Sequence, residues 1–120
     1  MNLVCIPVYN EEKTIGDMVR LSLKHADKVV VCDDGSTDST AKIAKQSGAT
    51  VISHKKNEGY GASIITLFDR ARQENADIMV TIDGDGQHNP DQIPLLLDTL
   101  KENSVDVVIG SRFLDKNSST

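Results

Sequence analysis

Short apolar runs alternate along this chain with longer stretches of helical spacing. Leu3-Val4-Cys5-Ile6-Pro7-Val8 is continuous and apolar, the pattern of a strand covered on both faces. From about Glu12 to His25, Ile15, Met18, Val19 and Ser22 recur at helical intervals. Val29-Val30-Val31-Cys32 predicts a second buried strand. Residues 38–47 predict a helix, and Gly48 stands where a C-terminal capping glycine belongs. Thr50-Val51-Ile52-Ser53 predicts a short third strand. Residues 60–73 predict an amphipathic helix with Ile64, Ile65, Phe68 and Ala71 facing inward. Ile78-Met79-Val80-Thr81-Ile82 predicts a fourth strand. Asn89-Pro90-Asp91-Gln92 then announces a helix: Asn89 caps, Pro90 suits the first helical position and Gln92 completes a capping box. Ile93, Leu96, Leu97 and Leu100 follow at i, i+3, i+4 and i+7, and Val105-Asp106-Val107-Val108-Ile109 predicts a fifth strand.

Strands that alternate with helices in this way imply a mostly parallel sheet with helices on both faces, a three-layer α/β/α fold. Crossovers in such a sheet are right-handed. Ligands bind at the carboxyl ends of its strands. Those ends hold Tyr9-Asn10-Glu11, Asp33-Asp34-Gly35-Ser36, Lys56-Asn57-Glu58-Gly59, Asp83-Gly84-Asp85-Gly86-Gln87 and Gly110-Ser111-Arg112. Nearly all the unusual polar residues therefore gather on one rim.

Composition narrows the picture. At 120 residues, 38% hydrophobic and 26% charged, the chain suits one small domain with a modest core. A net charge of -5 and no basic face argue against nucleic-acid binding. Cys5 and Cys32 sit inside predicted strands and read as buried, reduced thiols; two cysteines without further ligands make no zinc site. Met1 leads straight into a strand with no signal-peptide pattern, and no apolar run is long enough to span a bilayer. The expected location is the cytoplasm.

The strand-end motifs suggest the chemistry. Asp83-Gly84-Asp85 places two carboxylates around a glycine directly after a buried strand. Hard divalent cations take oxygen ligands, and Mg²⁺ or Mn²⁺ is often held by few protein groups plus substrate phosphates. A calcium loop counted from Asp83 fails, with His88 at the glycine position and Pro94 at the bidentate glutamate. Asp33 and Asp34 offer acceptors for a nucleobase N–H or ribose hydroxyls, while Ser36, Thr37 or Asp38 caps the next helix. A turn-and-cap role alone would explain Gly35 to Asp38 but not the two adjacent acids. Tyr9 is placed to flank a base and Glu11 to accept from a ribose, though Asn-Glu at a helix start is also a common cap. Asn57-Glu58-Gly59-Tyr60-Gly61, before a helix, offers loop amides that suit a phosphate. It is neither a dinucleotide fingerprint nor a P-loop. Arg112 reads either as a clamp on a diphosphate or acceptor phosphate, or as a surface arginine. His88 reads as packing locally, and His25 and His54 read as surface residues.

Taken in order, Pro7-Val8-Tyr9-Asn10-Glu11, Asp33-Asp34-Gly35-Ser36, Asn57-Glu58-Gly59-Tyr60-Gly61, Asp83-Gly84-Asp85-Gly86-Gln87-His88 and Gly110-Ser111-Arg112-Phe113 resemble the family 2 glycosyltransferases. The resemblance is nearest to the polyprenyl-phosphate and dolichol-phosphate sugar synthases, and it covers nearly the whole chain. It implies a GT-A fold, with residues 1–115 forming the nucleotide-sugar-binding part and 116–120 a frayed polar tail. It implies that Pro7, Tyr9, Glu11, Val31 and Asp33 line a nucleoside pocket. It assigns metal and diphosphate contacts to Asp83, Gly84, Asp85 and Gln87 with Mg²⁺ or Mn²⁺, and sets Arg112 near the phosphates or acceptor.

The expected reaction is inverting transfer of a sugar from a GDP- or UDP-linked donor to a polyprenyl or dolichyl phosphate. Asp85, through the cation, and Arg112 would stabilise the departing diphosphate. A hydroxyl acceptor would need a general base, and none is evident; a lipid phosphate is already an anionic nucleophile. Family members continue beyond Phe113 with an acceptor-binding half, so the chain is expected to be a donor-side fragment, inactive alone, of a protein that works at the cytoplasmic face of a membrane. A homodimer is left open. The rival readings are a sugar-phosphate nucleotidyltransferase, which would place a glycine-rich loop with Arg and Lys where Tyr9-Asn10-Glu11 stands, and a nucleotide-binding module without activity.

Overall fold

The structure, a computed structural model, describes residues 1–82 and the backbone of the strand at 107–109. The elements run β1 (Asn2–Val8), α1 (Ile15–Leu23), β2 (Lys28–Asp33), α2 (Thr40–Gln46), β3 (Thr50–Ser53), α3 (Tyr60–Gln73), β4 (Ile78–Thr81) and β5 (Val107–Ile109). The helix expected from Asn89 and the tail at 116–120 lie outside the described residues.

The five strands form one sheet in the order β3-β2-β1-β4-β5, and every pairing is parallel. The middle strand β1 sets Cys5 opposite Val30 on one side and Thr81 on the other. Pairing continues one residue beyond β4, where the Ile82 amide donates to the Cys5 carbonyl at 3.1 Å.

Strand alternation sends neighbouring side chains of β1 to opposite layers. Val4, Ile6 and Val8 pack with Ile15, Met18 and Val19 of α1 and Ala44 of α2. Leu3 and Cys5 pack with Leu67 and Ala71 of α3. Two helices thus cover one face and α3 covers the other. Right-handed crossovers demand this split: the chain steps one way from β1 to β3, then reverses past β1 to β4, which moves the connecting helix to the opposite face. Both cysteines are free and buried. Burial pushes the Cys5 thiol up to about 12 and the Cys32 thiol up to about 11.

The inward face of α3 needs one correction. Ile64 and Ala71 are buried and Phe68 packs against the core, but Ile65 is 64% exposed. The buried partner is Leu67. Ile64, Leu67, Phe68 and Ala71 stand at i, i+3, i+4 and i+7, whereas Ile65 is turned about 100° off that stripe.

Candidate functional site at the carboxyl rim

The carboxyl ends of β1 and β2 are laced together by side chains that answer backbone amides. The Asn10 amide donates to Ser36 Oγ at 2.8 Å, and Asn10 Oδ1 accepts from the Thr37 amide at 2.8 Å. Asn10 itself adopts a positive φ of 52°, tolerable for a short polar side chain. The Glu11 amide donates to Thr40 Oγ1 at 2.8 Å, and Thr40, fully buried, donates its hydroxyl to Asp38. Asp38 also accepts from the Thr40 amide at 2.9 Å, the work of a cap although Ser39 occupies the N-cap position. Glu12 accepts from the Ser39 amide at 3.1 Å. An open cleft of about 560 Å³ lies over this lacing, bounded by Asn10, Glu11, Lys13, Thr37 and Asp38 among others.

Asp33 ends β2, and only 4% of its surface is exposed. Its Oδ1 accepts from the Ser36 amide at 3.1 Å, and its Oδ2 lies 3.4 Å from the Ser53 hydroxyl. Tyr9 stands at the mouth of β1, 44% exposed. Pro7 is half-buried beside Cys32. Val31 differs from expectation. Its side chain is closed in the core with no accessible surface, because alternation along β2 turns it into the layer of α1 and α2.

Asp34 departs further from the sequence reading. Its Oδ1 accepts from the Glu58 amide at 2.9 Å and from His54 Nδ1 at 2.8 Å, and its Oδ2 accepts from the Gly59 amide at 2.9 Å. The carboxylate is thus committed to the protein itself. Burial alone would raise its pKa. The Glu58 amide, the His54 bond, the Gly59 amide and the charge on His54 outweigh that cost and hold it below the usual carboxylate range. The same contacts revise the loop before α3. Two of the amides that would suit a phosphate are taken by an internal carboxylate at the helix start.

His54 is also not a surface residue. Its side chain is 11% exposed, wedged between Asp34 and Thr66, with Nε2 at 2.9 Å from the Thr66 hydroxyl and 3.7 Å from Cys32 Sγ. A lone His after a strand carries no periodic signal for such a role, and only the tertiary approach of α3 creates it. Gly35, at φ +77°, lies so close to the same loop that an added Cβ would stand 2.5 Å from the Lys56 carbonyl carbon. Asp83, Gly84, Asp85, Gln87, His88 and Arg112 lie outside the described residues. Among the described residues, no group of three His, Cys, Asp or Glu side chains is gathered to hold a metal ion.

A parallel sheet in the order 3-2-1-4-5, with helices on both faces and polar loops at its carboxyl rim, defines the doubly wound α/β class. Within it, the chain belongs to glycosyl transferase family 2, whose family model matches residues 3–120, and its fold is the GT-A fold. It is 37% identical to a UDP-N-acetylglucosamine–dolichyl-phosphate N-acetylglucosaminyltransferase of Methanococcus voltae, over 89% of this chain and 50% of that protein. It is 36% identical to an undecaprenyl-phosphate 4-deoxy-4-formamido-L-arabinose transferase of Pseudomonas aeruginosa, over 79% of this chain and 31% of that one. Among solved structures, glucosyl-3-phosphoglycerate synthase of Mycobacterium tuberculosis superposes with a TM-score of 0.70 at 30% identity, over 83% of this chain and 40% of that one. The same enzyme in complex with Mn²⁺, uridine diphosphate and glucosyl-3-phosphoglycerate superposes with a TM-score of 0.68. The chain thus spans half or less of the length of these relatives.

Proposed function

We propose that this chain is the donor-binding part of a metal-dependent glycosyltransferase that moves a sugar, with inversion, from a nucleoside diphosphate to a polyprenyl or dolichyl phosphate. The observation that carries the reading is the reversal of strand order between β1 and β4. Doubly wound sheets open a ligand crevice at such a point. Asp33 stands at the rim on the other side of β1, opposite Val8, and Ile82 pairs with β1 one residue before the Asp83-Gly84-Asp85 turn.

In this reading Tyr9, Glu11 and Asp33 contact the nucleoside beside the cleft, and Pro7 shapes the pocket wall. Asp34 holds the wall in place rather than touching the ligand. Asp83, Asp85 and Gln87 are three oxygen donors within five residues, a set suited to Mg²⁺ or Mn²⁺. The cation supplies charge neutralisation at the diphosphate when bound. Gly84 lets the diphosphate approach the backbone. Arg112 adds a guanidinium for the diphosphate or the acceptor phosphate.

The complexes of the mycobacterial synthase with uridine diphosphate favour uridine over guanosine as the base. The names of the archaeal and bacterial relatives favour a lipid phosphate as acceptor. Such an acceptor is already anionic and needs no strong base. No helix among the described residues is long and apolar enough to cross a membrane.

Calorimetry with UDP and GDP, each with and without Mn²⁺, tests the reading. UDP is expected to bind with Mn²⁺ and at least about tenfold more weakly without it, a difference of about 1.4 kcal/mol. Asp85→Ala is expected to abolish the metal's contribution. Equal UDP binding with and without Mn²⁺, or by Asp85→Ala, would sink the metal bridge.

A further inference from the structure

We propose that His54 is a positioning residue for the nucleotide site, acting through Asp34 to hold loop 56–59 against the turn that carries Asp33. The inference rests on the reading of Asp33 as a nucleoside contact. Three segments distant in sequence meet at one carboxylate. Asp34 comes from the end of β2, His54 from the end of β3, and the Glu58 and Gly59 amides from the entry to α3. Asp34 is 4% exposed, so each contact is made away from bulk water.

The proton positions follow from chemistry. An ionised carboxylate only accepts, so Nδ1 of His54 carries a hydrogen and donates to Asp34. Nε2 then faces the Thr66 hydroxyl, which donates to a neutral imidazole or accepts from a charged one. The clamp is therefore satisfied in both states of the ring. The Glu58 carboxylate stands 3.7 Å from Nδ1 on the solvent side and adds to the attraction when the ring is charged.

What links the clamp to the nucleotide site is the tight approach at Gly35. Loop 56–59 presses on a turn with no room for a methyl group. The residue that follows Gly35 donates its amide to Asp33 Oδ1 at 3.1 Å. Loosening the loop removes the wall behind Gly35 and frees the turn that orients the Asp33 carboxylate. His54 touches no ligand in this scheme, and its effect is carried by Asp34, the loop and the turn.

Two substitutions distinguish positioning from bulk stability. In His54→Asn the amide nitrogen falls close to the place of Nδ1, so the bond to Asp34 is kept. In His54→Gln the amide reaches the place of Nε2, and that bond is lost. Hydrogen exchange of the Glu58 and Gly59 amides and calorimetric UDP affinity with Mn²⁺ are both measured on the 120-residue chain. His54→Gln is expected to speed exchange at both amides and to weaken UDP, each by about tenfold. His54→Asn is expected to stay within about threefold of the parent in both.

Unchanged exchange in His54→Gln would overturn the clamp. Equal loss of UDP affinity in both variants would overturn the role of Nδ1 and leave His54 a packing residue. Accelerated exchange with unchanged UDP affinity would overturn the link to the site. A parent chain that binds no UDP would overturn the nucleotide reading and the positioning role with it, while amide exchange would still decide whether His54 holds the loop. Should His54→Gln not fold, Thr66→Val removes the support of Nε2 at nearly constant volume. It is expected to raise exchange at Glu58 and Gly59 by a few-fold, and no rise would count against the clamp.

Discussion

At the residue scale, Asp34 shows how a buried charge becomes tolerable. Two backbone amides and an imidazole replace the water it loses. Because its folded pKa is depressed, its stabilising contribution is fully present above the ordinary carboxylate pKa, about 4. That contribution is lost as the pH falls through the folded value. Asp34→Asn should therefore cost about 2 kcal/mol at pH 7, and the gap from the parent should narrow below about pH 4. Urea unfolding at pH 7 and pH 3 measures both. The thiols give a second prediction. With Cys5 pushed up to about 12 and Cys32 to about 11, neither carries appreciable thiolate at pH 8, and both should react with a disulfide reagent only after unfolding. Burial of the cysteines was legible from their place in apolar runs. The fate of Asp34 was not, since an acid at a strand end faces a ligand or a neighbouring loop with the same one-dimensional signature.

At the scale of elements, strands were easiest to read. Runs covered on both faces leave little doubt about period, and β1 to β4 fall within one residue of their apolar runs. Helix α3 was harder, because adjacent isoleucines compete for one inward place and only packing against β1 and β2 decides between them. Leu67→Ala should cost about 2–5 kcal/mol, while Ile65→Ala should stay within about 0.5 kcal/mol; shifts in the urea midpoint separate the two. Gly35 is a different kind of constraint. Its positive φ was foreseeable from the turn, but the closeness of the Lys56 backbone was not. Gly35→Ala should cost more than the about 1 kcal/mol of left-handed strain alone, because a methyl group would have to push backbone aside. It should also weaken UDP in the same titration.

At the scale of the whole molecule, the alternation of strands and helices already implied a parallel sheet. The order β3-β2-β1-β4-β5 was not contained in that pattern, because hydrophobic spacing says nothing about which strand sits beside which. In the proposed function this order sets the ligand crevice at the step from β1 to β4, which would give the scattered rim residues a common centre. If the donor and the cation bind there together, they bind only the folded chain. UDP at about 100 times its dissociation constant, with Mn²⁺, should then add about 2.7 kcal/mol of stability, and EDTA should remove most of the gain. Thermal unfolding with and without chelator tests this.

The central place of β1 has a consequence for how the chain comes into being. Like β2 and β4, the first strand needs partners on both sides, but its own two arrive far apart: β2 begins at Lys28 and β4 only at Ile78. During synthesis, β1, β2 and β3 can join early, while the other edge of Asn2-Leu3-Val4-Cys5 stays bare until β4 emerges. A bare apolar edge is a template for pairing with the wrong chain. In the proposed reading, the strand that later borders the ligand site thus first passes through a stage in which one of its edges is open to mispairing.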